Sequence, residues 1–184
     1  MPSAAAHIAS ANIVKKKLNI QDDLFFVGAL LPDVLEIDKT ESHFKEQGTQ
    51  YLIPRLKFYK ENYDLSNPMN LGYYLHLYLD YYYLEDYLLN NNPDLDVFQD
   101  KRVYKDYDIL NQKILDRFEV DKDKVVEILN NNKVSGESEK RLNKNIECLN
   151  KDMDGELIIL KDDLFLDFIE KTSHKFIEEL DNNV

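Results

Sequence analysis

Ser66-Asn67-Pro68-Met69-Asn70-Leu71-Gly72-Tyr73-Tyr74-Leu75-His76-Leu77-Tyr78-Leu79-Asp80-Tyr81-Tyr82 is the stretch from which the fold is read. Asn67 is a good helix cap, and Pro68 suits the first helical position, where its missing N–H costs nothing. The spacing predicts a tyrosine-rich helix that reaches about Leu89 and stops at Asn90-Asn91-Asn92-Pro93. His76 and Asp80, four residues apart, share one helix face about a turn apart. An imidazole and a carboxylate placed so can converge on one metal ion. Their neighbours are Leu77, Tyr78 and Leu79, so this is no solvated charge face. A buried carboxylate needs a partner, and a metal is a good one.

Working outward, the sequence reads as helices throughout. Ser3 caps a first helix that runs to about Lys17, closed by three lysines as the helix dipole prefers. A second begins at Asp22 or Asp23 and carries Leu24-Phe25-Phe26-Val27-Gly28-Ala29-Leu30-Leu31, apolar nearly all round and therefore central. Pro32 is expected to end it, because the residue before proline avoids helical geometry. That puts Asp33 just beyond the helix, in a loop that reaches about Gly48 and holds His43. A helix over Thr49–Tyr63 follows, with Pro54 in its first turn or kinking it. Further helices are expected at about 100–117, 121–131, 137–150 and 162–180. Leu157–Leu160 reads either as a short extended piece or as a helix lead-in. No repeat or linker divides the chain. The expectation is one all-α domain over residues 1–184, with seven or eight helices.

Composition agrees and excludes several functions. Five Gly and five Pro in 184 residues favour long helices over many-turned β architecture. Twelve Tyr and nine Phe supply the aromatic packing. Net charge is −12, so the surface repels phosphate backbones and anionic head groups, and neither nucleic acid nor a charged membrane is an expected partner. Cations are. Cys148 stands alone, so no intrachain disulfide forms, and with no basic neighbour to activate it the residue reads as structural. No apolar run is long enough to span a membrane. The N-terminal lysines follow the apolar stretch, the reverse of a signal peptide, and the expected location is the cytoplasm.

Four histidines are present, His7, His43, His76 and His174. Taken singly, each candidate residue has an ordinary reading. His76 and Asp80 could form an intrahelical hydrogen bond. Asp33 suits a turn or cap, His43 a surface loop, and His7 a packed helix. Tyrosines around the site read mostly as core, with one or two hydroxyls available to a phosphate. Tyr104–Asn111 reads as a plain amphipathic face. It is the conjunction of motifs that points to metal.

The same conjunction resembles a known family. Ser3-Ala4-Ala5-Ala6-His7, then Phe25–Asp33 ending in Gly28-x-x-x-Pro32-Asp33, then Ser42-His43-Phe44, then Gly72-x-x-x-His76-x-x-x-Asp80 is similar, in that order, to the zinc-dependent phospholipase C family. The resemblance covers about residues 3–90, and no family signature follows Leu89. It implies an all-helical fold with a metal cluster among the helices. Asp33, His43, His76 and Asp80 would form a four-ligand zinc site, and Asp80 would bridge to a second ion that His7 helps to hold. Three departures stand out. The secreted enzymes use a processed amino terminus as a ligand, which this chain is not expected to have. Where the family has a histidine six residues after the motif's aspartate, this chain has Asp86. The family's following His-x-x-x-Glu is found here only as His174-Lys175-Phe176-Ile177-Glu178, in the last helix. Asp86, His174 and Glu178 are thus possible additional ligands, and one or two zinc ions are expected. The resemblance implies a phosphoesterase in which zinc-activated water attacks a phosphate ester, with Asp33 orienting that water or taking its proton. A small or soluble phosphate ester is the expected substrate. The alternatives are a non-catalytic, metal-stabilised helical binding module and a plain helical scaffold.

Overall fold

The computed structural model describes residues 2–96, 100–132 and 136–182. Eight α-helices of seven residues or more are present among them: α1 (Ala4–Lys17), α2 (Leu24–Val34), α4 (Leu56–Asn62), α5 (Pro68–Tyr82), α7 (Arg102–Arg117), α8 (Lys122–Asn131), α9 (Glu137–Leu149) and α10 (Asp162–Asp181). Single turns α3 (Lys39–Ser42) and α6 (Leu89–Asn91) and a π-helical segment, Tyr83–Leu88, complete the helical set. The chain is all-α, as expected, apart from one small hairpin. None of the helices is long and apolar enough to cross a membrane among the described residues.

α1 begins where Ser3 Oγ accepts the Ala6 N–H at 3.3 Å. Its first turns are alanine-rich, and residues 4–12 are buried on every side. Small side chains let α2, α5, α7, α9 and α10 all pack against it. α1 is therefore as central as α2.

α2 and α5 pack most closely, and two glycines make this possible. A Cβ on Gly28 would lie 2.0 Å from the Met69 carbonyl oxygen, and one on Gly72 would lie 2.1 Å from that of Phe25. Backbone meets backbone at both points. Asn67 caps α5 as expected, its side chain accepting the Met69 and Asn70 N–H groups.

Three local expectations are corrected. Pro32 does not end α2, which continues through Asp33 to Val34. Pro32 and Val34 are both buried, and the Leu35 N–H still bonds the Leu31 carbonyl at 3.1 Å. Burial outweighs the pre-proline preference. Helix does not start at Thr49: β1 (Lys45–Gln47) and β2 (Leu52–Pro54) pair antiparallel, with Lys45 opposite Pro54 and Gln47 opposite Leu52, and only α4 follows. Ile53 and Pro54 are buried, so this segment is held by packing on its inner side. Leu157–Leu160 is neither strand nor helix. Its backbone instead wraps a carboxylate: the N–H groups of Ile158, Ile159 and Leu160 donate to Asp106 at 3.0, 2.6 and 2.8 Å. Asp106 is wholly buried, and these three bonds satisfy it.

Tyrosines of α5 and the π-helical segment fill the core, as their number required. Tyr74, Tyr78 and Tyr83 are at most 2% exposed and pack against Phe165, Phe168 and Phe176 of α10.

Candidate metal centre

Four elements deliver one side-chain cluster. α1 supplies His7, the last turn of α2 Asp33, the residue after α3 His43, and α5 both His76 and Asp80. His7, His43, His76 and Asp80 are each at most 1% exposed. Only the Asp33 side chain, at 12%, reaches the surface.

The ligating atoms point at each other. His43 Nε2 and His76 Nε2 lie 3.3 Å apart. Asp80 Oδ2 is 3.5 Å from the first and 3.6 Å from the second. Asp33 carboxylate oxygens stand 3.7 Å from His43 Nε2 and 4.0 Å from His76 Nε2. The other oxygen of Asp80, Oδ1, faces His7 Nε2 at 3.5 Å. The His7 and His76 rings stack at 3.7 Å, nearly parallel. Two overlapping sets, His43 with His76 and Asp80, and His7 with Asp33 and His76, have donor atoms close enough to hold a metal ion.

Two of the candidate ligands, His76 and His43, are held from behind. His76 Nδ1 is 2.8 Å from the Ala29 carbonyl. A carbonyl only accepts, so Nδ1 carries the proton and the Nε2 lone pair is left for the cluster. Ala29 is one helical turn before Asp33, so α2 fixes His76 and supplies its neighbour at once. His43 Nδ1 meets Ser42 Oγ at 2.9 Å, and Tyr73 donates to the Ser42 carbonyl. The next residue, Phe44, adopts a left-handed φ of 47° that costs a non-glycine residue about 1 kcal/mol. Its ring sits among Tyr59, Tyr63 and Tyr73, and its carbonyl accepts from Arg55 N and Nε. Packing thus locks the turn that aims His43.

Electrostatics are those of a site short of positive charge. Burial works to raise the Asp80 carboxyl, yet His76 and His7 outweigh it and hold the group well below the usual range. Asp33 is likewise depressed, with His76, Lys39 and His43 overcoming burial. Burial lowers His43 to about 3 and also lowers His7. His76 alone is raised, because Asp80 and Asp33 more than offset its burial. Both His7 nitrogens and both Asp80 oxygens remain without a hydrogen-bond partner despite full burial.

The remaining sequence candidates do not join the cluster. Asp86 is exposed in the π-helical segment, where it accepts from Asn90 at 2.5 Å. His174 and Glu178 are exposed on α10, between the positions that it buries. The Tyr73, Tyr74 and Tyr83 hydroxyls are spent on Ser42, Glu179 and Tyr107.

A cavity of about 540 Å³ opens beside Asp33. Sequence reasoning missed its walls. Tyr104, Tyr107, Asp108 and Asn111 of α7 line one side, the face read as merely amphipathic. Arg141, Lys144, Asn145 and Cys148 of α9 continue the lining beside it, with Asn111 donating to the Cys148 carbonyl at 3.0 Å. Both sets follow i, i+3, i+4, i+7 spacing, a polar stripe that is the signal available in the sequence. Burial pushes the Cys148 thiol up, in keeping with a structural cysteine.

Comparison with protein-family models, with curated proteins and with solved structures finds no match to this chain.

Proposed function

We propose that the protein is a zinc-dependent phosphoesterase, with the metal held by His7, Asp33, His43, His76 and Asp80. One observation carries the reading: Asp80 is fully buried with both oxygens unpartnered, amid three imidazoles. Imidazoles 3.5–3.6 Å away compensate this carboxylate only in part, without a hydrogen bond, and a cation at this point would compensate it directly.

The spacing favours zinc. Zinc bonds of roughly 2.0–2.1 Å set at tetrahedral angles place neighbouring ligand atoms about 3.3–3.4 Å apart. Separations of 3.3, 3.5 and 3.6 Å among His43, His76 and Asp80 fall close to that. Imidazole with carboxylate is also a donor set that zinc accepts. Asp80 Oδ1, turned toward His7, supports a second, less complete position.

Zinc so bound would lower the pKa of a water toward about 7 and polarise a phosphoryl oxygen. The protein's own groups supply the rest. Asp33 lines the cavity, and neighbouring cationic groups hold its carboxyl below the ordinary range, so it suits orienting an attacking water better than taking its proton. Lys39, 2.7 Å from Asp33, puts a cation in the same cavity, where phosphate oxygens would arrive. Ala29 and Ser42 keep His76 and His43 in place. The cavity is sized for a small ester.

Burial of four of the five ligands favours one other reading, a metal-stabilised helical binding module. Turnover separates the two. Zinc-loaded protein should hydrolyse bis(4-nitrophenyl) phosphate, faster as pH rises through neutrality. His76→Ala should abolish the activity, and Asp33→Asn should lower it at equal metal content. If the fully loaded protein turns over no phosphomonoester, phosphodiester or phospholipid, the enzyme reading is wrong and the binding module stands.

A further inference from the structure

The cavity beside Asp33 departs from the charge balance of the chain. Over the whole sequence 35 acids outnumber 23 lysines and arginines. Around this cavity Lys39, Lys45, Arg141, Lys144 and Lys151 face only two acids, Asp33 and Asp108. The sign of the local field is therefore opposite to that of the molecule.

These cations come from separate parts of the chain and are brought together by the fold. Lys39 and Lys45 flank His43, at the metal end. Arg141, Lys144 and Lys151 stand on and just after α9, which packs beside α7. Arg141 is anchored by the Leu35 and Ile37 carbonyls, neutral groups that position the charge without cancelling it. Lys151 is held 2.8 Å from Asp108. Gathering like charges in a part-enclosed site is unfavourable unless an anion shares it. Lys39 sits where the reacting phosphate would lie, and the α9 group lies farther along the same cavity.

We propose that this cavity binds the alcohol portion of the substrate and selects phosphate esters that carry a second anionic group, a carboxylate or a further phosphate. The choice of substrate class rests on the phosphoesterase reading; the anion site does not. The acidic excess of the chain as a whole would disfavour such a ligand on most of the surface, and the cations of the cavity would draw it in.

The test compares 4-carboxyphenyl phosphate with phenyl phosphate, which lacks the second charge, by calorimetric titration at low ionic strength. Zinc-loaded and chelator-treated protein are both measured, with zinc content determined separately. The carboxylated ester should bind at least about tenfold more tightly, as charge complementarity of this kind provides. The preference should persist without zinc, since none of the α9 cations is a ligand. It should shrink with added salt. Lys144→Gln with Lys151→Gln, both exposed positions, should reduce the preference to within about twofold and leave zinc content unchanged. Equal binding of the two esters, binding of neither, or an undiminished preference in the double variant would overturn the proposal. Preferential binding without turnover of either ester would support the anion site and count against the hydrolase.

Discussion

At His76 the Ala29 carbonyl accepts a hydrogen bond from Nδ1–H and leaves Nε2 to the cluster, so a backbone atom of α2 decides the chemistry of a side chain on α5. Protonation is the cluster's weak point. His7 and His43 are lowered below the ordinary value of 6.5. Below that pH an unfolded chain takes up protons that the folded one refuses, and stability falls as pH falls. His76 is raised, so its contribution is complete in acid and is lost only as pH rises through its folded value. Asp33 and Asp80 are depressed, and their contribution disappears as pH falls below the ordinary 3.8. Two lowered imidazoles thus set the slope between about pH 6.5 and 4, up to about 1.4 kcal/mol per pH unit for each. Melting curves of chelator-treated protein should shift steadily downward from pH 7 to pH 4; a flat or rising profile would mean that the imidazoles are not held neutral. The candidate ligands were legible only through the order of four short motifs, since each residue taken singly has an ordinary reading. Asp86 stands at the family's histidine position in sequence, but it lies exposed in the π-helical segment that begins at Tyr83. His174 and Glu178 have the right spacing on α10 but lie between the positions that it buries.

The pairing of α2 with α5 is the element on which the site depends. Gly72, His76 and Asp80 recur every fourth residue, so the face that lies against α2 also carries two ligands. Gly28, five residues before Asp33, meets it from the other side. Gly28→Ala and Gly72→Ala should each destabilise by about 3 kcal/mol or more, at the upper end of overpacking, because the obstructing atoms are backbone carbonyls that cannot rotate away. Both should also weaken zinc binding, since the helices must part. Gly155→Ala serves as the control: its Cβ would meet only the flexible end of Ile109, and a change within about 0.5 kcal/mol is expected. Urea denaturation measures all three, and equal effects would show that close approach is not what the glycines provide. Helix boundaries at α1, α7, α8, α9 and α10 and the start of α5 were legible because caps and breakers bracket periodic runs, whereas the passage from α5 into π-helical geometry at Tyr83, within the run expected to reach Leu89, was not. Pro32 and the hairpin at 45–54 were not. In both, burial of particular side chains overrides a local preference, and single-residue preferences carry no record of what packs above them.

Over the whole molecule, the recognised motifs end near residue 90, but the structure does not divide there. α7 and α9 form the walls of the cavity that opens at Asp33, and α10 buries the aromatic back of α5. The cations at the cavity suit it to an anion, against the acidic excess of the chain as a whole. A ligand bound to the native state alone stabilises it by mass action, so a metal at the shared centre of α1, α2 and α5 should act on the entire fold. Calorimetric titration of chelator-treated protein with zinc, for wild type and for His76→Ala and Asp80→Ala variants checked for native helical content, tests the metal centre most directly. One to two ions per chain should bind the wild type, and each variant should lose at least about a hundredfold in affinity at the shared site. No zinc uptake by the wild type, or uptake unchanged in both variants, would contradict the account.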